Sequence, residues 1–234
     1  MKKLILLFSA FNVLIVNAQS ITLEKIWSGE YFSQGLYGIN SMNDGQHYSL
    51  QEQDGIYKYS YQSFINQNSN KELIVSGSYD EYSFSSDEKY ILLATESESI
   101  YRHSFVAKWQ VYDIDSKKFQ TLFDGKKVQE PLFSPDASKV GFVYENNIYI
   151  QDLKTGTVTQ VTHDGKKNEI INGICDWVYE EEFGFVRHFE WNSDGSALAF
   201  VKFDESRVRE FYIPVYEQNL YPYEMRFKYP KAGE

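Results

Sequence analysis

Short runs of apolar and polar residues, separated by turn-forming residues, follow one another along most of the chain. The segment 140–145 (VGFVYE) is predicted to be a strand, and Asn146–Asn147 follows it directly. Asparagine tolerates positive φ, so this pair predicts a tight hairpin that leads back through 148–153 (IYIQDL). A second turn at Lys154–Gly156 then predicts an outer strand at 158–162 (VTQVT).

This order of turn and strand recurs along the chain. Each copy has an aromatic or apolar residue, a small polar pair, an aspartate in a turn and then a β-rich strand. The copies lie at 84–95, 133–144 and 191–203, with a weaker one at 39–51. Their turn aspartates, whose spacing widens along the chain, are Asp44, Asp87, Asp136 and Asp194.

Repeats of about 40–50 residues with several strands each are typical of β-propeller blades. The pattern therefore predicts an all-β fold of about four blades, and no long amphipathic helix interrupts it after residue 18. A β-sandwich with incidental similarity is the alternative, and the recurrence of four phrases in one order argues against it. The composition agrees with strands, because the chain has 19 Tyr, 17 Phe and 4 Trp but only 5 Pro.

The segment 1–18 differs in character from the rest. Lys2 and Lys3 precede an apolar run from Leu4 to Val16, and small residues follow near Ala18. This order predicts a secretory signal peptide at 1–18, which leaves 19–234 as a partial propeller domain. We therefore expect an exported protein, in a periplasm, at a cell surface or outside the cell; an uncleaved anchor is the alternative.

The formal net charge of −10 and the absence of a basic patch argue against a nucleic-acid partner. The single cysteine, Cys175, cannot form an internal disulfide. Its apolar neighbours Ile174 and Trp177 favour a buried thiol over an intermolecular pair. Asp113 and Asp115 are better explained by a turn than by metal ligation, so we expect neither a metal nor a cofactor.

The candidate chemistry lies in the stretch 176–185 (DWVYEEEFGF). Asp176 is predicted to cap a short helical turn that carries Glu180, Glu181 and Glu182 among apolar residues, which we expect to hold the turn rigidly. Neighbouring helical positions are about 100° apart, so Glu181 and Glu182 could flank one cation with charge-assisted hydrogen bonds. An acidic helical turn without a ligand is the alternative.

Three phrases carry a family resemblance, and they occur in the family's order. They are 101–105 (YRHSF), with VYDID at 111–115, then 172–183 (NGICDWVYEEEF) and 229–233 (YPKAG). The sequence resembles the dipeptidyl peptidase IV family of prolyl peptidases over most of residues 21–234. The resemblance implies the first half of an eight-bladed propeller, which a C-terminal α/β-hydrolase domain follows. It implies that Glu181 and Glu182 bind the substrate amino group, that Arg102 contacts a substrate carbonyl, and that Glu180 is structural.

The resemblance also implies a function. It predicts part of a serine peptidase that releases dipeptides from peptides with a free amino terminus and Pro or Ala at the second position. The segment 207–230 would form an extended arm for homodimer contacts, with an ordinary blade hairpin as the alternative. The chain contains no G-x-S-x-G motif, so it lacks the serine of a Ser-Asp-His triad and should be inactive alone. A non-enzymatic propeller that serves as a binding scaffold is the alternative function.

Overall fold

The computed structural model describes residues 21–32, 38–62 and 70–233, so the predicted signal peptide at 1–18 lies outside the described residues. The chain divides into two compact units, with the boundary after residue 37. In the first unit, helix α1 (Leu23–Trp27) begins after Thr22, whose hydroxyl accepts a hydrogen bond from the Lys25 amide. Among the described residues, no helix is both long and apolar enough to cross a membrane.

The second unit contains three four-stranded antiparallel sheets in which each strand pairs with the next in sequence. The first sheet holds β1 (Asn40–Ser41), β2 (His47–Gln51), β3 (Gly55–Ser60) and β4 (Lys71–Ser76). The second holds β5 (Glu81–Phe84), β6 (Tyr90–Ser99), β7 (Phe105–Asp113) and β8 (Lys118–Thr121), after which a short 3-10 turn covers Phe123–Gly125. The third holds β9 (Gln129–Phe133), β10 (Lys139–Tyr144), β11 (Asn147–Asp152) and β12 (Val158–Gln160). These meanders confirm the predicted all-β fold and its propeller blades.

The fourth repeat is less regular than the first three. It forms two separate two-stranded sheets, β13 (Ile170–Asn172) with β16 (Lys202–Asp204), and β14 (Phe189–Trp191) with β15 (Leu198–Phe200). Helix α2 (Trp177–Phe183) is inserted between β13 and β14. This insertion accounts for the wider spacing before the last repeat aspartate. Strands β17 (Glu210–Val215) and β18 (Tyr223–Lys228) then form a hairpin that pairs with no other described strand.

The hairpin between β10 and β11 differs from the prediction by one residue. Tyr144 pairs with Asn147, so the two turn residues are Glu145 and Asn146, with φ of 46° and 60°. Positive φ at both central residues is the requirement of a type I′ turn. Asn147 instead belongs to β11, where its side-chain oxygen accepts a hydrogen bond from the Gly165 amide at 2.9 Å.

Three apolar clusters join successive repeats and thereby position the loops at their ends. One joins the first and second sheets and includes Ile56, Val75, Ile91 and Leu93. The other two follow it along the chain. The first of these two joins the second and third sheets and includes Leu92, Trp109, Val111, Phe133, Val140 and Phe142. The second joins the third sheet to the fourth repeat and includes Val143, Ile148, Ile171, Ile174, Val186 and Phe189. At Gly141 a Cβ atom would lie 3.2 Å from Phe189 and 3.3 Å from Trp191, so this close approach favours glycine.

The repeat aspartates all occupy the same kind of turn. The Oδ1 atom of each accepts a hydrogen bond from the backbone amide two residues later, and a strand begins soon afterwards. The pairs are Asp44 with Gln46 at 2.9 Å, Asp87 with Lys89 at 3.2 Å, Asp136 with Ser138 at 3.1 Å and Asp194 with Ser196 at 2.8 Å. The pattern that recurs in the sequence is therefore a turn, and in each of the four repeats this turn precedes a strand.

These hydrogen bonds stabilise the ionised form of the carboxylates. The Gln46 amide is the main cause of the lowered pKa of Asp44, which falls to about 2. At Asp136 the Ser134 hydroxyl is the main cause, and the pKa again falls to about 2. A group with a lowered pKa in the folded state stabilises the fold above its unfolded pKa, and this stabilisation is lost as the pH falls through the folded pKa.

We therefore predict that stability falls between about pH 4, near the ordinary pKa of aspartate, and about pH 2. The Asp136→Asn variant should show a shallower loss over this range, because its amide does not titrate. Thermal unfolding followed by circular dichroism from pH 5 to pH 2 measures the difference. Asp115→Asn, at an exposed turn residue, is the matched control and should keep the wild-type slope. Identical slopes for Asp136→Asn and the wild type would contradict the prediction.

Candidate functional site

Helix α2 has a defined beginning and end, and both follow from local sequence. The Asp176 side chain accepts a hydrogen bond from the Tyr179 amide at 3.0 Å, as the N-cap prediction requires. At the other end, Gly184 adopts the left-handed conformation (φ 70°, ψ 26°), and its amide donates to the Glu180 carbonyl at 3.0 Å. Glycine adopts this conformation without strain, so the helix ends there. The predicted short helical turn and its cap are confirmed.

The apolar residues around the glutamates divide into two groups. Trp177 packs on the β17–β18 hairpin segment, with ring centroids 4.8 Å from Phe227 and 5.3 Å from Tyr229. Phe183 and Phe185 are instead 61% and 45% exposed. The expectation that the whole apolar group holds the helix is therefore wrong for these two phenylalanines, because Phe183 is the last residue of the helix, Phe185 lies just beyond it, and both face solvent.

The three adjacent glutamates occupy three different environments. Glu180 is 2% exposed, the Glu181 side chain is 16% exposed, and Glu182 lies on the surface. Steps of about 100° along a helix place neighbouring side chains on different sides. In this short helix, the first glutamate therefore points into the protein while the second and third lie towards its outside.

Arg102 lies in the loop between β6 and β7, and we call residues 100–104 the arginine loop. Its Nε atom is 3.2 Å from Glu181 Oε2, and its side chain is 71% exposed. The structure therefore brings together Arg102 and Glu181, and Glu182 is the next residue on the helix. In the described part of the chain, Glu182 makes no hydrogen bond or ion pair.

Glu180 connects helix α2 to the arginine loop. Its Oε1 atom accepts hydrogen bonds from the backbone amides of His103 and Ser104, each at 2.7 Å. The family resemblance implied a structural role for Glu180, but the sequence contained no signal for these partners, which lie in a distant part of the chain. The buried carboxylate therefore satisfies two amides of the loop that carries Arg102.

A cavity of about 580 Å³ lies beside the helix, and Glu180 contributes to its wall. Glu205, which no sequence motif marks, is a buried carboxylate on the same wall. Burial raises the pKa of Glu205, repulsion from Asp176 adds to this shift, and Lys228 opposes it. No group of three or more potential metal-ligating side chains occurs among the described residues.

Cys175 also lines this cavity and is buried, as predicted. Its Sγ atom donates a hydrogen bond to the Phe185 carbonyl at 3.2 Å. Burial raises the pKa of the thiol to about 12, and the nearby Glu180 and Asp176 carboxylates add to the shift. The thiol is therefore protonated at neutral pH, and only the thiolate is a good nucleophile.

We predict that Cys175 reacts slowly with iodoacetamide at pH 8 in the folded chain. Unfolding in urea should restore the ordinary pKa of about 8.5 and speed the reaction by at least about a hundredfold. Mass spectrometry of the alkylated protein over time, with and without urea, measures both rates. Equal rates in the two conditions would contradict the protected thiol.

The Asp176 cap of helix α2 leads to a prediction about stability. Asp176→Ala should lower the free energy of unfolding by about 1 kcal/mol, because the Tyr179 amide loses its acceptor. Asp176→Ser, which can still cap the helix, is the control and should retain most of the stability. Urea unfolding followed by fluorescence measures both variants. An alanine variant as stable as the serine variant would show that the cap contributes nothing.

The sequence of this chain is similar to a known family of proteins. Residues 85–234 match the family model described as the dipeptidyl peptidase IV (DPP IV) N-terminal region. Dipeptidyl aminopeptidase B of Saccharomyces cerevisiae is 37% identical over 223 residues, which are 92% of this chain and 26% of that protein. Prolyl endopeptidase FAP of Mus musculus is 30% identical over 221 residues, which are 92% of this chain and 28% of that protein.

A solved structure shows the same relationship in three dimensions. The crystal structure of Porphyromonas gingivalis dipeptidyl peptidase 4 is 40% identical and superposes with a TM-score of 0.80. The match covers 91% of this chain and 32% of that one. The chain therefore spans less than a third of the length of each of these relatives.

Proposed function

This chain belongs to the dipeptidyl peptidase IV family, and we propose that it binds the amino terminus of a peptide on behalf of an exported serine dipeptidyl peptidase. The observation that carries the proposal is the pairing of Arg102 with Glu181, 3.2 Å apart, with the exposed Glu182 next to them on helix α2. These three residues are the ones that the family resemblance selected from the sequence.

The chemistry of a peptide amino terminus suits this arrangement. An ammonium group carries a full positive charge and three hydrogen-bond donors, so two carboxylates can each accept from it. Hydrogen bonds between charged groups are shorter and stronger than neutral ones. A peptide with an acetylated amino terminus would lose the charge and most of these donors, so the site would distinguish the two peptides.

Arg102 supplies a hydrogen-bond donor for a carbonyl group of the bound peptide. Its Nε atom faces Glu181, while the two terminal guanidinium nitrogens make no ion pair or hydrogen bond with another described residue. A guanidinium remains charged in any protein environment and presents its donors in a fixed plane. In this proposal a terminal nitrogen donates to a carbonyl oxygen of the bound peptide, and the ion pair keeps Glu181 in place before the peptide arrives.

Cleavage needs groups that this sequence does not contain. With no G-x-S-x-G motif, the chain would hold a peptide without cutting it. In the proposed whole protein, an α/β-hydrolase domain supplies the serine and releases a dipeptide with Pro or Ala at its second position. Because the amino terminus would be anchored at a fixed place, the peptide bond after the second residue would lie at the serine.

We extend the proposal to assembly and location. The β17–β18 hairpin exposes Tyr212, Tyr216, Leu220 and Tyr221, and Leu220 and Tyr221 are at least 80% exposed. Exposed apolar groups of this kind favour a protein contact, and we assign them to a homodimer of the complete protein. The signal-like residues 1–18 would direct that protein out of the cytoplasm.

The amine site is tested with the tripeptide amide Gly-Pro-Gly-NH₂ and its N-acetyl form. We predict that the chain binds the free-amine peptide roughly ten- to a hundredfold more tightly. This range corresponds to about 1.5–3 kcal/mol for hydrogen bonds to a charged group. Glu181→Gln and Glu182→Gln should each remove most of this preference. Isothermal titration calorimetry measures the affinity of each protein for both peptides.

Glu72→Gln is the matched control, because Glu72 is an exposed glutamate on strand β4 and lies outside the proposed site. It should retain the wild-type preference for the free amine. Equal affinity of the wild type for both peptides would reject the amine site. That result would favour a propeller that serves only as a scaffold.

A further inference from the structure

We infer that Glu180 is a positioning residue whose buried carboxylate latches the arginine loop to helix α2 and thereby places Arg102 beside Glu181. This inference deepens the proposed amine site and rests on it. It assigns Glu180 a specific task, because the carboxylate does not touch the peptide but sets the relative position of two groups that would.

The geometry of the latch is specific. One oxygen atom, Glu180 Oε1, accepts from two consecutive amides, His103 and Ser104, at 2.7 Å each. Both Glu180 and Ser104 are buried, at 2% and 4% exposure. Water therefore competes poorly for these bonds, and both distances are at the short end of the range for N–H···O hydrogen bonds.

The remaining hydrogen bonds of the arginine loop close the loop on itself. The Ile100 amide donates to the Ser104 carbonyl at 2.8 Å, and the Tyr101 amide lies 3.2 Å from the Ser104 hydroxyl. These bonds set the shape of the loop but not its position against helix α2. Among the described residues, the hydrogen bonds and ion pairs that join the loop to the helix are those of Glu180 and the Arg102–Glu181 pair.

The exposed ion pair could not hold the loop by itself. The Arg102 side chain is 71% exposed and has a long flexible stem, so its pairing with Glu181 is weakened by solvent and by lost side-chain freedom. The latch acts on the two residues that directly follow Arg102 and so restrains the backbone from which this side chain extends. Because Glu180 and Glu181 are consecutive, one helical turn presents both the latch and the ion-pair partner.

Two conservative variants separate the reach of the side chain from its charge. Glu180→Gln keeps the length and an oxygen that can accept both amides, but it removes the charge. Glu180→Asp keeps the charge but withdraws the carboxylate by about one bond length, roughly 1.5 Å. A latch predicts that glutamine is tolerated better than aspartate, whereas a role for the charge alone predicts the reverse order.

The experiment measures amide hydrogen exchange by NMR and peptide affinity by calorimetry on the same full chain. In Glu180→Asp, the His103 and Ser104 amides should exchange roughly tenfold faster or more, and the preference for Gly-Pro-Gly-NH₂ over its N-acetyl form should fall about tenfold. In Glu180→Gln, both quantities should stay within about threefold of the wild type. The buried core amides of Val111 and Phe142 should remain protected in both variants.

Three results would overturn the latch. One is a Glu180→Asp variant with wild-type exchange and wild-type preference for the free amine. Another is a Glu180→Gln variant as impaired as Glu180→Asp, which would assign the effect to charge. The third is faster exchange of the Val111 and Phe142 amides in Glu180→Asp, which would make Glu180 a general support of the fold.

The two proposals fail in different ways. If the wild type binds both peptides equally, the amine site is rejected, and exchange at His103 and Ser104 still decides whether Glu180 tethers the loop. If the wild type prefers the free amine and Glu180→Asp shares that preference fully, the amine site stands and the positioning role is rejected.

Discussion

The apolar packing between successive sheets is the interaction on which the candidate site depends. Trp109 and Val111 of the second sheet share one buried cluster with Val140 and Phe142 of the third. Each large side chain buried in this way stabilises the fold by about 1.5–3 kcal/mol, whereas an exposed ion pair contributes about 0–1 kcal/mol. Packing therefore brings the arginine loop and helix α2 within reach of each other, and the Glu180 hydrogen bonds and the Arg102–Glu181 pair can form only within that frame.

The short helix α2 places its three consecutive glutamates in different surroundings. Asp176 begins the helix and Gly184 ends it, so the side-chain directions of the residues between them are determined. Glu180 points inward and is satisfied by two amides, while Glu181 meets Arg102 and Glu182 remains at the surface. A buried carboxylate without hydrogen bonds would strongly destabilise the fold, so the amides of the arginine loop make this burial possible.

Local features of the fold could be read from the sequence because they depend on neighbouring residues. The aspartate turns, the strands predicted at 140–145 and 148–153 and the cap at Asp176 all follow from interactions within a few residues. The hairpin after Tyr144 was misplaced by one residue, because the strand register decides which residues take positive φ. The sequence pattern gave no sign that the fourth repeat forms two small sheets or that helix α2 lies between two of its strands.

At the candidate site, too, some features follow from the local sequence and others only from the tertiary structure. The sequence by itself determined that Glu181, Glu182 and Arg102 carry the family pattern and that a capped helical turn holds the two glutamates. Only the tertiary structure decided that Glu180 would reach His103 and Ser104, that Phe183 and Phe185 would face solvent, and that Glu205 would be buried beside a cavity. Turns and caps depend on the local chain, whereas contacts between distant parts of the sequence depend on how whole sheets pack, which no short stretch of sequence specifies.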